Sequence, residues 1–213
     1  MDFKHTIRVA ACQGILSEFI AELLVKYEET HPSNLIDIRE YKEKDVDIEV
    51  DEERAEFGFS TEPLDTKKYE CHRIYSKPLV LVMHNSHPLA AYEKIPTSML
   101  ANYPLITLDE AFKSTDFFIN ECAKQGVKLT PKFRVSEIFA VHRLVIQNMG
   151  VGLSHLDAAK TLDTSDAIYR PFENKDLNWN IDIFKKKELR PLKKCSRFLR
   201  LCMPSPYCLR YGK

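Results

Sequence analysis

The chain has 213 residues, 44% apolar and 10% aromatic, enough to bury a core at this length and to exclude disorder as the main state. Basic and acidic residues number 31 each, so the formal net charge is zero, whereas a domain that grips nucleic acid by itself carries a basic excess. The longest apolar stretches, such as residues 79–83, fall far short of the roughly 20 residues that span a bilayer. Residues 1–14 have neither the apolar core nor the A-x-A-like site of a signal peptide, so no membrane partner is expected and a cytoplasmic address is.

Residues 7–11 (IRVAA) read as a short buried strand. Its abrupt start is that expected of a domain cut from a longer chain. Ile15, Leu16, Phe19, Ile20, Leu23, Leu24 and Tyr27 then fall on one face of a 3.6-residue period, which predicts a helix. His31-Pro32 ends it, because the residue before a proline avoids helical geometry. Residues 35–40 alternate as a second strand. Residues 42–56 are strongly acidic and read two ways. Val46, Ile48 and Val50 alternate like a strand, but the Glu, Lys and Arg between them suit an exposed short helix, which is the reading adopted. Residues 56–60 (EFGFS) form a third strand, and residues 69–83 carry a long strand-pair signal containing Lys77-Pro78 and the run LVLVM.

A second cycle follows. Residues 104–108 (PLITL) are a strand; residues 115–125 are a helix with Ser114 as its N-cap and Gly126 just past its end. Residues 131–135 are a strand. Ile138, Val141, Val145 and Met149 mark a helix over 137–148 that Gly150 stops. Strands follow at 151–154, 167–171 and 179–185. Leu192, Cys195, Phe198, Leu199 and Cys202 mark a last amphipathic helix closed by Pro204. Strands alternating with helices predict α/β architecture with largely parallel sheets. The rhythm occurs twice with a break near 73–78, predicting two small lobes with a ligand cleft.

In open α/β sheets ligands sit beyond the C-terminal ends of the strands, where helix N-termini offer unpaired N–H donors and partial positive charge. The first such corner is Cys12-Gln13-Gly14: Gly14 permits close backbone approach, and Gln13 both donates and accepts. Lys42 and Glu43 follow the second strand at the same edge. The other corner runs from Thr107 to Ser114, with Lys113 and Ser114 at the helix entry. Lys42 and Lys113 could hold an anion such as a carboxylate; the ordinary alternative is that both are solvated surface lysines. Glu43 repels an anion unless a lysine pairs with it.

The six cysteines include no CxxC pair and read as reduced packing residues. Cys12 at a helix N-terminus invites a redox role, but no second cysteine lies near it in sequence. His84 and His87, and Cys71 beside His72, do not amount to the three or four converging ligands a metal needs, and Cys195, Cys202 and Cys208 fit a helix seam better. No P-loop or dinucleotide fingerprint is present, and Ser154-His155 lacks a nucleophile elbow. Neither metal nor cofactor is expected, and the protein is not expected to be an enzyme.

Three segments in order resemble the effector-binding domain of LysR-type transcriptional regulators: residues 7–32, residues 77–90 with HPLA, and residues 135–156 with a G-x-G turn into a strand. The resemblance covers nearly the whole chain. It departs at His155, where the family usually has proline, and at Cys12 and Glu43, where Ser or Thr is common, so the ligand is expected to differ too. The family's winged helix-turn-helix has no counterpart here, in keeping with the neutral charge.

The resemblance implies a type 2 periplasmic-binding-protein-like α/β fold, each lobe a mixed sheet flanked by helices. Residues 1–73 and 168–213 would form lobe one and residues 74–167 lobe two, with hinge crossings near 76–77 and 164–167. It implies a ligand-sensing regulatory domain that binds a small-molecule effector between the lobes at Cys12, Gln13, Gly14, Lys42, Glu43, Thr107, Lys113 and Ser114. Binding would shift hinge and oligomer geometry together. Homodimers or tetramers would form through the helix between Ser17 and Glu29 and the helix between Glu137 and Asn148. Promoter DNA would be contacted only through the absent N-terminal domain. Two other readings compete. A solute-binding protein of a transport system would need an export signal and usually a longer chain. A deaminase- or dehydratase-type enzyme would need converging acid, base and cation residues.

Overall fold

The structure is a computed structural model and describes residues 5–16, 20–162, 165–188 and 193–202. In chain order the elements are β1 (His5–Cys12), α1 (Ala21–Thr30), β2 (Asn34–Tyr41), α2 (Glu43–Asp51), β3 (Phe57–Thr61), β4 (Tyr69–His84), β5 (Leu105–Leu108), α3 (Lys113–Lys124), β6 (Phe133–Val135), α4 (Ile138–Ile146), β7 (Val151–His155), α5 (Leu156–Lys160), β8 (Ala167–Pro171), β9 (Asn178–Lys186) and α6 (Lys193–Cys202). The chain divides into two compact units, Met1–Ser76 with Asn180–Lys213, and Lys77–Trp179. The chain therefore returns to unit one after Trp179, and β8 belongs to unit two, whereas the sequence placed that passage near 164–167.

In unit one, β1 pairs in parallel with β2 and β3, and β9 runs antiparallel to β3. Ile7, Val9, Phe57 and Phe59 are buried on this sheet. α6 closes the core by inserting Phe198, which lies edge-on to Tyr27 at 5.4 Å and against Phe57 at 5.8 Å. The acidic segment after β2 is a helix because Val46 and Val50, four residues apart, are both buried while Ile48 is 46% exposed; that is a period of 3.6, not 2. β4 and β9 carry ion pairs at their polar positions: Lys185 meets Glu70 at 2.5 Å, and Arg73 meets Asp182 and Glu62.

In unit two, β4 pairs antiparallel with β7 and β8, and β5 lies parallel between β7 and β6. The strand-pair signal over 69–83 is one continuous 16-residue strand. Val80, Val82, Ile106, Val141 and Val145 are the centre of a buried cluster under α4. Gly152 belongs to this packing: a Cβ there would come within 2.6 Å of Val141 and 2.8 Å of Val82. HPLA forms a 3-10 turn at Pro88–Ala91, N-capped by His87, whose ring accepts from the Leu89 N–H at 3.2 Å. A second such turn at Thr97–Asn102 has no signal in the sequence reading.

Two boundaries differ from expectation. α3 begins at Lys113, with Phe112 as N-cap in extended geometry, so Ser114 is the second helical residue and does not cap. The turn is instead held by Asp109, whose carboxylate accepts from the Ala111 N–H and whose carbonyl accepts from the Phe112 N–H. α4 spans Ile138–Ile146, with Glu137 as N-cap. Asn148 lies beyond the helix at φ 57 and Gly150 at φ 154, unwinding the chain into β7. Residues 17–19 of the predicted first helix, the Cys195 side chain, Pro204 and Cys208 lie outside the described residues.

Candidate functional site

The sequence candidates fall at the C-terminal edges of the parallel strands, one set in each unit. In unit one the β1–β2 register pairs Cys12 with Tyr41, which places Gln13 and Gly14 beside Lys42 and Glu43. Cys12 is fully buried as the last residue of β1, so its thiol is part of the core, while Gln13 is exposed. The Gln13 N–H donates to the Tyr41 carbonyl at 3.0 Å. Gly14 has φ +91, with no atom within 4 Å of where a Cβ would stand, and its N–H donates to the Glu40 carboxylate at 3.2 Å. Lys42 is the extended N-cap of α2 and makes no side-chain capping bond. Glu43 is 2% exposed, and its carbonyl accepts from the buried Ser60 hydroxyl at 2.9 Å. The adjacent Thr61 is also buried, and its hydroxyl has no partner among the described residues. Thr61 escaped the sequence reading because nothing local separates it from the strand it ends.

In unit two, Thr107 on β5 is buried and its hydroxyl likewise has no partner among the described residues. Lys113 is 5% exposed, so it is not a solvated surface lysine. Ser114 is half-buried, and Thr115 donates to the Leu108 carbonyl at 3.3 Å, tying α3 to the end of β5. A buried cation at the N-terminal turn of a helix reinforces the positive end of the helix dipole, so this edge suits a negatively charged or strongly accepting group. A hollow of about 350 Å³ bordered by Pro96, Thr97, Gln125 and Glu173 opens elsewhere on unit two and includes none of these candidates.

A second polar cluster in unit two was not anticipated. His142 Nε2 lies 2.9 Å from Ser154 Oγ, and both residues are buried. His155 stacks on Trp179 with ring centroids 4.1 Å apart and planes 12° apart. Burial pushes both histidines down to about 4. The Ser154–His142 pair has the spacing of a nucleophile and its base. However, the hydroxyl donates to the His155 carbonyl at 3.3 Å, and Ser154 is 2% exposed, so no substrate reaches it. The sequence hints were the adjacent Ser154-His155 and His155 standing where proline is usual; His142 was hidden next to Val141 in an apolar helix face.

The LysR substrate binding domain matches residues 2–205. The chain belongs to this family. Among curated proteins it is 28% identical over 180 residues to the HTH-type transcriptional regulator AlsR of Bacillus subtilis, covering 82% of this chain and 59% of that protein. It is 23% identical over 185 residues to the uncharacterized HTH-type transcriptional regulator YwbI of the same organism, covering 87% and 62%. The chain thus spans about three fifths of the length of these relatives. Its fold is that of LysR effector-binding domains. The effector-binding domain of QuiR in complex with shikimate superposes with a TM-score of 0.86 at 14% identity, covering 97% of this chain and 98% of that one. The BenM effector-binding domain with its effector benzoate gives 0.83 at 17% identity, covering 98% and 94%. This LysR domain is therefore a ligand-sensing regulatory domain, not a transport protein of the same fold. Its family is a class of transcriptional regulators and not of enzymes. Among the described residues no helix is long and apolar enough to cross a membrane.

Proposed function

We propose that this domain senses a small carboxylate for a DNA-binding transcriptional regulator, with Gln13, Gly14, Lys42 and Glu43 the candidate contacts of unit one and Thr107, Lys113 and Ser114 those of unit two, each set taken by itself. Cys12 supports the first corner from within the core. The observation that carries the reading is Lys113. A lysine 5% exposed at the N-terminal turn of a 12-residue helix adds a fixed positive charge to the positive end of the helix dipole, a setting in which a carboxylate gains charge-assisted hydrogen bonds. Benzoate and shikimate, named with BenM and QuiR, are the first carboxylates to test. Calorimetric titration of the domain with a panel of small carboxylates should find a ligand, and Lys113→Met should weaken it at least tenfold, on the order of 1.4 kcal/mol. Binding of only cationic or neutral compounds would overturn the charge assignment.

The same reading assigns promoter binding to the part of the regulator that this chain does not cover, and a cytoplasmic address to the whole. Effector binding acts by favouring one arrangement of the domain over another, and only to the extent that affinity differs between the two. Homodimers or tetramers form through the faces of α1 and α4, where Val25 is 62% and Phe139 58% exposed.

A further inference from the structure

Contacts within unit two run without a break from the exposed face of α4 to the strand by which the chain leaves the unit. Phe139 on α4 meets His142 edge-on, with ring centroids 6.1 Å apart and planes at 88°. His142 Nε2 is 2.9 Å from Ser154 Oγ, and the Ser154 hydroxyl donates to the His155 carbonyl. A hydroxyl has one hydrogen, so the His142 N–H is the donor to Ser154. The His155 ring lies flat on Trp179, and its Nδ1 accepts from the Ala158 N–H at 3.4 Å, seating the ring at the start of α5. In the same turn Asp157 reaches Lys77 at 3.7 Å. Lys77 and Trp179 are the first and last residues of unit two, and the Leu79 N–H donates to the Leu177 carbonyl at 2.9 Å, joining the two strands that hold them.

His142, Ser154, His155 and Trp179 are all buried. In a close-packed interior a displaced side chain has no void to relax into, so its neighbours move with it. The geometry points to a relay in which Phe139, His142, Ser154 and His155 carry a displacement of α4 to Trp179, so that a second copy of the chain docking on α4 alters the strand leaving unit two. This rests on the reading of α4 as an association face. Contiguity alone is not coupling; the relay has content only if one end responds to an event at the other.

Trp179 is the sole tryptophan, so intrinsic fluorescence reports the far end of the relay directly. The domain is concentrated through its association transition, followed by sedimentation, while Trp179 emission and its quenching by acrylamide are recorded. Both signals should change in step with association. Ser154→Ala, with a wild-type circular dichroism spectrum, should still associate but lose at least half of the change. If Ser154→Ala folds poorly, His142→Leu breaks the preceding contact and should show the same loss. Association with unchanged Trp179 emission, or the full change in the variant, overturns the relay and leaves the association reading standing. A domain that stays monomeric at every concentration overturns both.

Discussion

His142 and His155 link this domain's stability to pH. Burial holds both at about 4 in the folded state, with Asp157 partly opposing the shift at His155; an unfolded histidine titrates near 6.5. Above that value both states are neutral and the stability is fully present. Between about 6.5 and 4 the unfolded chain takes up protons that the folded chain refuses, so stability falls as pH falls. By pH 5 the expected loss is about 2 kcal/mol for each histidine. Urea unfolding at pH 7 and pH 5 measures it, and a variant with His142→Leu and His155→Phe should lose most of the dependence over that interval, the rest belonging to His87, which burial also pushes down. Carboxylates held below their ordinary range by lysine or arginine, such as Glu70 beside Lys185 and Glu49 beside Arg54, lose their contribution at more acid pH. A variant as steep as the wild type between pH 7 and 5 would rule the histidines out as the cause.

At the scale of elements, α6 shows how a helix of modest length is fixed by its apolar stripe. Phe198, Leu199 and Cys202 are buried while Arg197 and Arg200 are exposed, the pattern that the sequence displays. The anchor is Phe198 between Tyr27 of α1 and Phe57 of β3. Phe198→Ala leaves a cavity at that junction and should cost about 3–5 kcal/mol, read as a fall in the urea midpoint with little change in slope. A cost under 1 kcal/mol would mean that α6 is not part of the unit-one core. α2 was ambiguous in sequence because Val46, Ile48 and Val50 match a strand as well as part of a helix; only the sheet beneath it selects Val46 and Val50 for burial. The start of α3 was misjudged because serine is a common N-cap, whereas here the Asp109 turn sets the entry.

At the scale of the molecule, Phe139 is 58% exposed on α4, the helix proposed above as an association face. Phe139→Glu places a charge on that surface and should shift the domain toward monomer by at least tenfold in dissociation constant, checked by sedimentation. An unchanged association constant would remove α4 from the interface. The family likeness is readable in the sequence at this scale, because three segments occur in the family's order.

The sequence by itself determined the α/β class, the succession of strands and helices and the glycine corner at Gly14, since these follow from hydrophobic period and local backbone preference. It also placed the candidate residues at strand ends. Tertiary structure alone decided that Lys113 and Glu43 are buried, that Thr61 and Thr107 share the condition of a buried hydroxyl without a described partner, and that His142, Ser154, His155 and Trp179 form one cluster. Burial and pairing across long stretches of chain depend on which faces meet. No window of sequence contains that information, because the partners of each residue come from elements far away along the chain.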